Sequence, residues 1–99
     1  MTIERNGSKT TLITDERIST YDAPQFAAEM AKALEGTNDL TLDFGKLTYV
    51  SSSGLRVVMT ALKTMARQGD MRIVNVHEDV YNILESTGFT GMCDVEPKA

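Results

Sequence analysis

Residues 40–76 decide the fold, and they read LTLDFGKLTYVSSSGLRVVMTALKTMARQGDMRIVNV. Leu40 to Phe44 alternates apolar with polar side chains, which predicts a strand. After the serine run that ends at Gly54, apolar residues recur with the 3.6-residue period of a helix that should end at Gly69. The predicted inner stripe of this helix comprises Leu55, Val58, Leu62 and Met65.

A second apolar strand follows the helix at Met71 to Val76. Two strands that are joined through a helix lie parallel in one sheet, with a right-handed crossover between them. Residues 40–76 therefore predict a parallel β-α-β unit, and the chain belongs to the α/β class.

Toward the amino terminus the sequence predicts a hairpin. Its strands are two segments with β-branched residues, Thr2 to Arg5 and Lys9 to Thr14, and Asn6-Gly7 is the turn dipeptide around which they lie. A helix should follow, with Asp22 as its N-cap, Pro24 in its first turn and Gln25 at the reciprocal capping position. The apolar stripe of this helix comprises Phe26, Met30, Ala33 and Leu34, and Gly36 should end it.

Toward the carboxyl terminus, Glu78 to Thr87 predicts a third helix that ends at Gly88, and Met92 to Val95 predicts an edge strand. The inward residues of this helix are expected to be Val80, Ile83, Leu84 and Thr87. The whole chain, residues 1–99, is thus predicted to be one domain: a single mixed sheet with an amino-terminal hairpin, a parallel β-α-β unit and covering helices.

Composition limits the class of function. Ten Lys and Arg against fourteen Asp and Glu give a net charge of −4, which predicts no nucleic-acid partner and no direct membrane insertion. One cysteine and the lack of a long apolar stretch favour a cytoplasmic protein. His77 and Cys93 do not have the spacing of metal ligands, so neither a metal nor another cofactor is expected. Cys93 itself is expected to pack as a small apolar residue.

The serine run is the candidate site. Ligand sites in parallel sheets collect at the carboxyl ends of the strands, where Ser51, Ser52 and Ser53 lie. Projection at 100° per residue groups Ser53 with Val57, Thr60 and Thr64, opposite the inner stripe. Ser53 is therefore expected to face solvent, and Val57 to extend a patch that binds a protein partner.

A phosphate would be stabilised on this serine run. A dianion in the first turn of a helix meets free backbone N–H groups and the positive end of the helix dipole, an effect typically worth about 0.3 to 1 kcal/mol. It would also add negative charge to an already acidic surface. Serines before a helix most commonly serve as N-caps, and Ser51 or Ser52 is expected to do so here as well.

Residues 40–55 resemble the core signature of STAS domains, the group named for sulfate transporters and anti-sigma factor antagonists. The hairpin, the Ala23-Pro24 helix start and the helix end near Gly88-Phe89 resemble stand-alone members. The resemblance implies an anti-sigma factor antagonist, which binds a serine-kinase type of anti-sigma factor and so releases a sigma factor. It also implies phosphorylation of the serine before the glycine, which is Ser53 with Ser52 as second choice, and reversal by a serine phosphatase.

Two positions depart from the family pattern. Ser51 stands where an acidic residue usually opens the signature, and Ser19 stands where an aspartate often follows the second strand. The resemblance places the partner-binding surface on Ser19, Thr20, Ser51, Ser52, Ser53, Gly54, Leu55, Arg56 and Val57.

Two other functions are compatible with this fold class. An enzyme would need a base beside a serine nucleophile, and His77 follows the second parallel strand on the same edge. The chain contains neither a Gly-x-Ser-x-Gly elbow nor a phosphate loop, so no catalytic residue is predicted. The second alternative is a STAS scaffold subunit of a stress-sensing or membrane lipid-transport complex, without phosphorylation switching.

Overall fold

The computed structural model describes all of residues 1–99 and contains seven strands and three α-helices. In chain order these are β1 (Thr2–Asn6), β2 (Lys9–Ile13), β3 (Arg17–Ile18), α1 (Ala23–Leu34), β4 (Asp39–Asp43), β5 (Tyr49–Val50), α2 (Ser52–Gln68), β6 (Asp70–Val76), α3 (Glu78–Ser86) and β7 (Asp94–Pro97), with a short 3-10 turn at Phe89–Gly91 before β7.

The main sheet has five strands in the order β1-β2-β4-β6-β7. Only β1 is antiparallel, and the parallel pairing of β4 with β6 confirms the crossover expected from residues 40–76. Strands β3 and β5 pair with each other in a separate two-stranded parallel ribbon. The predicted mixed sheet is therefore confirmed, and the ribbon is an addition to it.

The amino-terminal hairpin forms as predicted, but its turn lies one residue later. Asn6 pairs with Lys9, so the two central turn residues are Gly7 and Ser8 and not Asn6 and Gly7. Gly7 has a φ of +64°, which only glycine adopts without steric cost.

The three helices cover one face of the sheet. That face carries Leu12, Leu42 and Ile73 in register, and they belong to one cluster of 19 buried residues that also includes the inner residues of all three helices. The other face carries Thr11, Thr41 and Arg72 in register and is only half-buried. The molecule is thus two layers deep, with its core between sheet and helices.

Helix α2 is turned relative to the sequence prediction. Its fully buried residues are Gly54, Val58, Ala61 and Met65, while Leu55 and Leu62 are only partly buried at the edge of the core. The small side chains at positions 54 and 61 explain the rotation, because they let the helix axis approach its neighbours closely.

Two expectations for the carboxyl end, an inward Thr87 and an edge strand that begins at Met92, are wrong in detail. Thr87 is exposed and not inward, and its hydroxyl donates to the Ile83 carbonyl at 2.7 Å, which closes the last turn of α3. The edge strand begins at Asp94, so Met92 lies in the preceding turn and is 49% exposed.

Candidate functional site

The candidate site lies where the two-stranded ribbon leads into two helices. Arg17 pairs with Tyr49 and Ile18 with Val50, so the chain leaves both strands at the same end. The backbone N–H of Ser51 then donates to the Ile18 carbonyl at 2.8 Å. The ribbon therefore sets the amino termini of α1 and α2 side by side, which brings Ser19 and Ser51 together.

Ser51 is the N-cap of α2, as the sequence predicted for Ser51 or Ser52. Its side chain is buried, and its hydroxyl oxygen accepts from the backbone N–H of Gly54 at 3.1 Å. The backbone N–H groups of Ser52 and Ser53 lie in the first turn, where no intrahelical acceptor exists. The first turn of α2 thus presents two free amides and two uncommitted serine side chains.

Ser19 and Asp22 form a second cap one turn before the first residue of α1. The Asp22 carboxylate accepts from the backbone N–H of Ser19 at 2.9 Å and from its hydroxyl at 2.8 Å, and the N–H of Asp22 lies 3.3 Å from the Ser19 hydroxyl oxygen. This reciprocal pattern is a capping box. Asp22 occupies the N-cap position of α1 as predicted, but the expected side-chain cap with Gln25 is wrong, because Asp22 reaches back to Ser19 and makes no cap hydrogen bond toward α1.

Charge in this box is stabilised locally. The backbone hydrogen bond from Ser19, and then its hydroxyl, hold the pKa of the Asp22 carboxyl below its ordinary value, against the opposing effect of burial. The positive charge of Arg17 lowers this pKa further. A carboxylate is therefore present beside Ser19, three residues after the position where the family pattern has its aspartate.

The two candidate phosphorylation sites differ in exposure. Ser52 is exposed, whereas Ser53 is half-buried and not fully in solvent as the projection predicted. The rotation of α2 is the reason, because it brings the side of the helix that carries Ser53 and Val57 closer to the buried stripe. Val57 is half-buried for the same reason, and it lines a groove of about 230 Å³ between α1 and α2.

The remaining predicted partner residues lie around this helix start. Thr20 and Arg56 are exposed, Leu55 is half-buried at the edge of the core, and Gly54 is buried against the ribbon. A Cβ on Gly54 would lie 2.8 Å from the Cγ2 atoms of both Ile18 and Val50. Gly54 therefore serves packing, since its lack of a side chain lets α2 begin directly on the ribbon.

Three residues of this surface were missed by the sequence analysis. Tyr21 is 95% exposed beside the Ser19–Asp22 box, and Tyr49 is 44% exposed on β5. The Arg17 guanidinium lies 4.6 Å from the centroid of the Tyr49 ring. Two tyrosines close to the serine positions were the available signal, but the pairing of Tyr49 with Arg17 depends on the ribbon.

His77 does not join the serines. It precedes α3, and its Nε2–H donates to the Gly45 carbonyl at 2.8 Å. Asp43 stabilises the same loop by accepting from the Gly45 N–H at 2.9 Å and from the Asn75 amide at 3.1 Å. His77 therefore fixes the loop after β4.

Cys93 is half-buried against the core, which agrees with the packing role expected for it. Burial raises the pKa of its thiol, and the charge of Asp94 raises it further, so the thiol stays protonated at neutral pH. No group of three or more His, Cys, Asp or Glu side chains is arranged to hold a metal ion.

Comparison with known proteins decides the family. The model of the STAS domain matches residues 1–98. The chain belongs to the STAS domain family. Among its relatives, a protein of Bordetella bronchiseptica named as the anti-sigma factor antagonist BtrV is 32% identical over 79% of this STAS domain and 69% of the relative. The anti-sigma-B factor antagonist of Bacillus subtilis is 25% identical over 83% of this STAS domain and 76% of the relative.

Solved structures confirm the STAS fold. A protein of Thermotoga maritima described as an anti-sigma factor antagonist has a TM-score of 0.87 at 18% identity, over 96% of this STAS domain and 84% of that chain. The Bacillus cell fate determinant SpoIIAA in its phosphorylated form has a TM-score of 0.75 at 14% identity, over 95% of this STAS domain and 88% of that chain. None of the three helices of this STAS domain has the length and apolar character that crossing a membrane requires.

Proposed function

We propose that this STAS domain is an anti-sigma factor antagonist that is switched by phosphorylation of Ser53. The observation that carries the proposal is the first turn of α2, where Ser51 is used as the cap while Ser52 and Ser53 keep free amides and uncommitted side chains. The relatives named as anti-sigma factor antagonists support the assignment to this class.

Binding to the anti-sigma factor uses the surface where α1 and α2 begin. Ser19 and Ser51 are held by their caps, so the backbone of both helix starts is ordered before a partner arrives. A preorganised surface loses less conformational entropy on association, which favours affinity. Thr20, Ser52 and Arg56 are the exposed residues of the predicted set and make the first contacts.

Phosphorylation of Ser53 changes this surface in charge and in volume. Free amides of the first turn and the α2 dipole stabilise the dianion within the protein itself. Because Ser53 is half-buried in the first turn of α2, its phosphate would extend outward from the helix start over the partner-binding surface. The modified protein then presents about two extra negative charges where the partner docks, and the complex dissociates.

The protein acts by binding and not by catalysis. His77 donates to the Gly45 carbonyl and is not hydrogen-bonded to any serine. A serine nucleophile needs such a base within hydrogen-bond reach. In the proposed cycle the anti-sigma factor is the kinase, a serine phosphatase restores the unmodified form, and all partners meet in the cytoplasm.

The test is capture of partners from the native cytoplasm with three baits: wild type, Ser53→Asp and Ser52→Asp. We expect wild type to retain a kinase-like anti-sigma factor, Ser53→Asp to lose it, and mass spectrometry to find phosphate on Ser53 of recovered wild type. Phosphate on Ser52 alone would move the switch to the second candidate. Equal capture of membrane transporter or scaffold subunits by all three baits would overturn the proposal in favour of a structural subunit.

A further inference from the structure

Two aromatic side chains on the ribbon side of the site are exposed to solvent. Tyr21, Tyr49 and Met92 are the large apolar side chains that the structure leaves exposed, and the two tyrosines lie beside the helix starts. Tyr21 is 95% exposed, so it contributes almost nothing to the core. Tyrosine gives a large contact area at low entropic cost because only two side-chain torsions must be fixed on binding.

Arg17 is held for binding by Tyr49. Its guanidinium stacks 4.6 Å from the ring centroid and takes part in none of the ion pairs of the protein. Of the neighbouring acids, Asp15 binds the amino terminus and the Asp22 carboxylate accepts from Ser19, while Glu16 forms no ion pair with Arg17. A guanidinium that is stacked on a ring keeps its planar N–H edge free for a carboxylate.

We propose that Tyr21 and the Arg17–Tyr49 pair, together called the aromatic anchor, hold the anti-sigma factor by inserting Tyr21 into an apolar pocket next to a carboxylate that binds Arg17. The inference rests on the proposed function and names the chemistry of the partner surface. Tyrosine and arginine are the residue types that most commonly dominate binding energy at protein interfaces.

The anchor and the phosphorylation site have separate tasks. Arg17 and Tyr49 are paired on the ribbon, and the chain enters α2 directly after β5, so the anchor borders Ser52 and Ser53 without including them. The anchor supplies affinity to the unmodified protein, and the phosphate opposes it from the adjacent helix start. Loss of the anchor should therefore weaken binding with both serines intact.

The experiment is calorimetric titration of the purified anti-sigma factor recovered by wild type with Tyr21→Ala, Arg17→Ala and Arg17→Lys. We expect Tyr21→Ala to raise Kd at least about 30-fold and Arg17→Ala about 10-fold. Arg17→Lys should not restore wild-type affinity, because an ammonium lacks the planar fork. Thermal unfolding of the variants verifies that they fold.

Met92→Ala is the matched control. Met92 is 49% exposed, and it lines a cavity with Gly69 at the far end of α2, away from the anchor. Its Kd should stay within about threefold of wild type. Kd values within threefold for both Tyr21→Ala and Arg17→Ala, while Ser53→Asp still abolishes binding, would overturn the anchor and leave the proposed function standing. If wild type binds no anti-sigma factor, the proposed function fails and the anchor fails with it.

Discussion

Three consecutive serines have different roles because of where their side chains point. Ser51 is buried and its hydroxyl oxygen accepts from the Gly54 N–H as the helix cap, Ser52 is exposed, and Ser53 is half-buried. The family resemblance identified the run, and the structure distinguishes its members. Composition alone could not do so, since three identical side chains carry identical chemistry.

Removing the cap of α2 should destabilise the protein. Ser51→Ala leaves the Gly54 N–H without its acceptor in a buried place, and we expect a loss of about 1 kcal/mol in the free energy of unfolding. Urea denaturation measures this loss. Ser52→Ala is the control, because Ser52 is exposed and should change stability by less than about 0.5 kcal/mol. Equal effects of the two substitutions would contradict the capping role.

The Ser19–Asp22 box should give stability a defined pH dependence. The pKa of Asp22 is lowered in the folded state, so its carboxylate stabilises the fold fully above the unfolded pKa of about 3.9. This contribution is lost as the pH falls through the lower folded pKa. We expect Asp22→Asn to be less stable than wild type at neutral pH.

The stability difference between wild type and Asp22→Asn should shrink on acidification below about pH 3.9. Urea denaturation across pH measures the difference, and NMR titration of the Asp22 carboxyl reads its pKa directly. A constant difference down to the lowest pH at which the protein folds would show that the charge of Asp22 has no role in the box.

At the scale of the elements, periodicity predicted the helices well and their rotation less well. The α2 stripe was placed on the larger apolar residues, Leu55 and Leu62, whereas Gly54 and Ala61 lie at the buried centre. Hydrophobic periodicity cannot weigh the close approach that a small residue permits, because that gain depends on the neighbouring element. The partner of the Asp22 side chain was mispredicted for a related reason: the carboxylate can accept from the helix that follows or from Ser19 before it, and the sequence does not show which.

Gly54→Ala tests the packing of α2 against the ribbon. Helix propensity alone predicts a gain of about 1 kcal/mol for alanine over glycine within a helix. The added Cβ would lie 2.8 Å from two buried methyl groups, those of Ile18 and Val50, so we expect a net loss of about 1 to 3 kcal/mol. Gly91→Ala is the control, since its Cβ would have no atom within 4 Å. A more stable Gly54→Ala variant, measured by urea denaturation, would refute the packing.

At the scale of the whole molecule, the main sheet was predictable and the ribbon was not. Strands β4 and β6 are predicted by their alternating apolar and polar residues and by the helix between them. Strands β3 and β5 have two residues each, too few for a periodic pattern, and they pair across more than 30 residues of chain. The pairing of Arg17 with Tyr49 and the meeting of the two helix starts depend on this ribbon, so that part of the site could not be predicted from the sequence.

The net charge of the whole molecule also bears on the proposed switch. The protein carries a net charge of −4, and a phosphate would make this net charge more negative. The amino terminus of α2 would stabilise the phosphate locally. We expect Ser53→Ala to bind the anti-sigma factor like wild type but to remain bound in the presence of ATP, since it lacks the acceptor hydroxyl. Fluorescence anisotropy with and without ATP measures this, and dissociation of Ser53→Ala by ATP would place the switch on another residue.

The most direct test of the switch is the affinity of one purified anti-sigma factor for the unmodified protein and for protein phosphorylated on Ser53, measured side by side by calorimetry. Tight binding of the unmodified form and at least about tenfold weaker binding of the phosphorylated form are predicted. Equal affinity of the two forms would contradict the account.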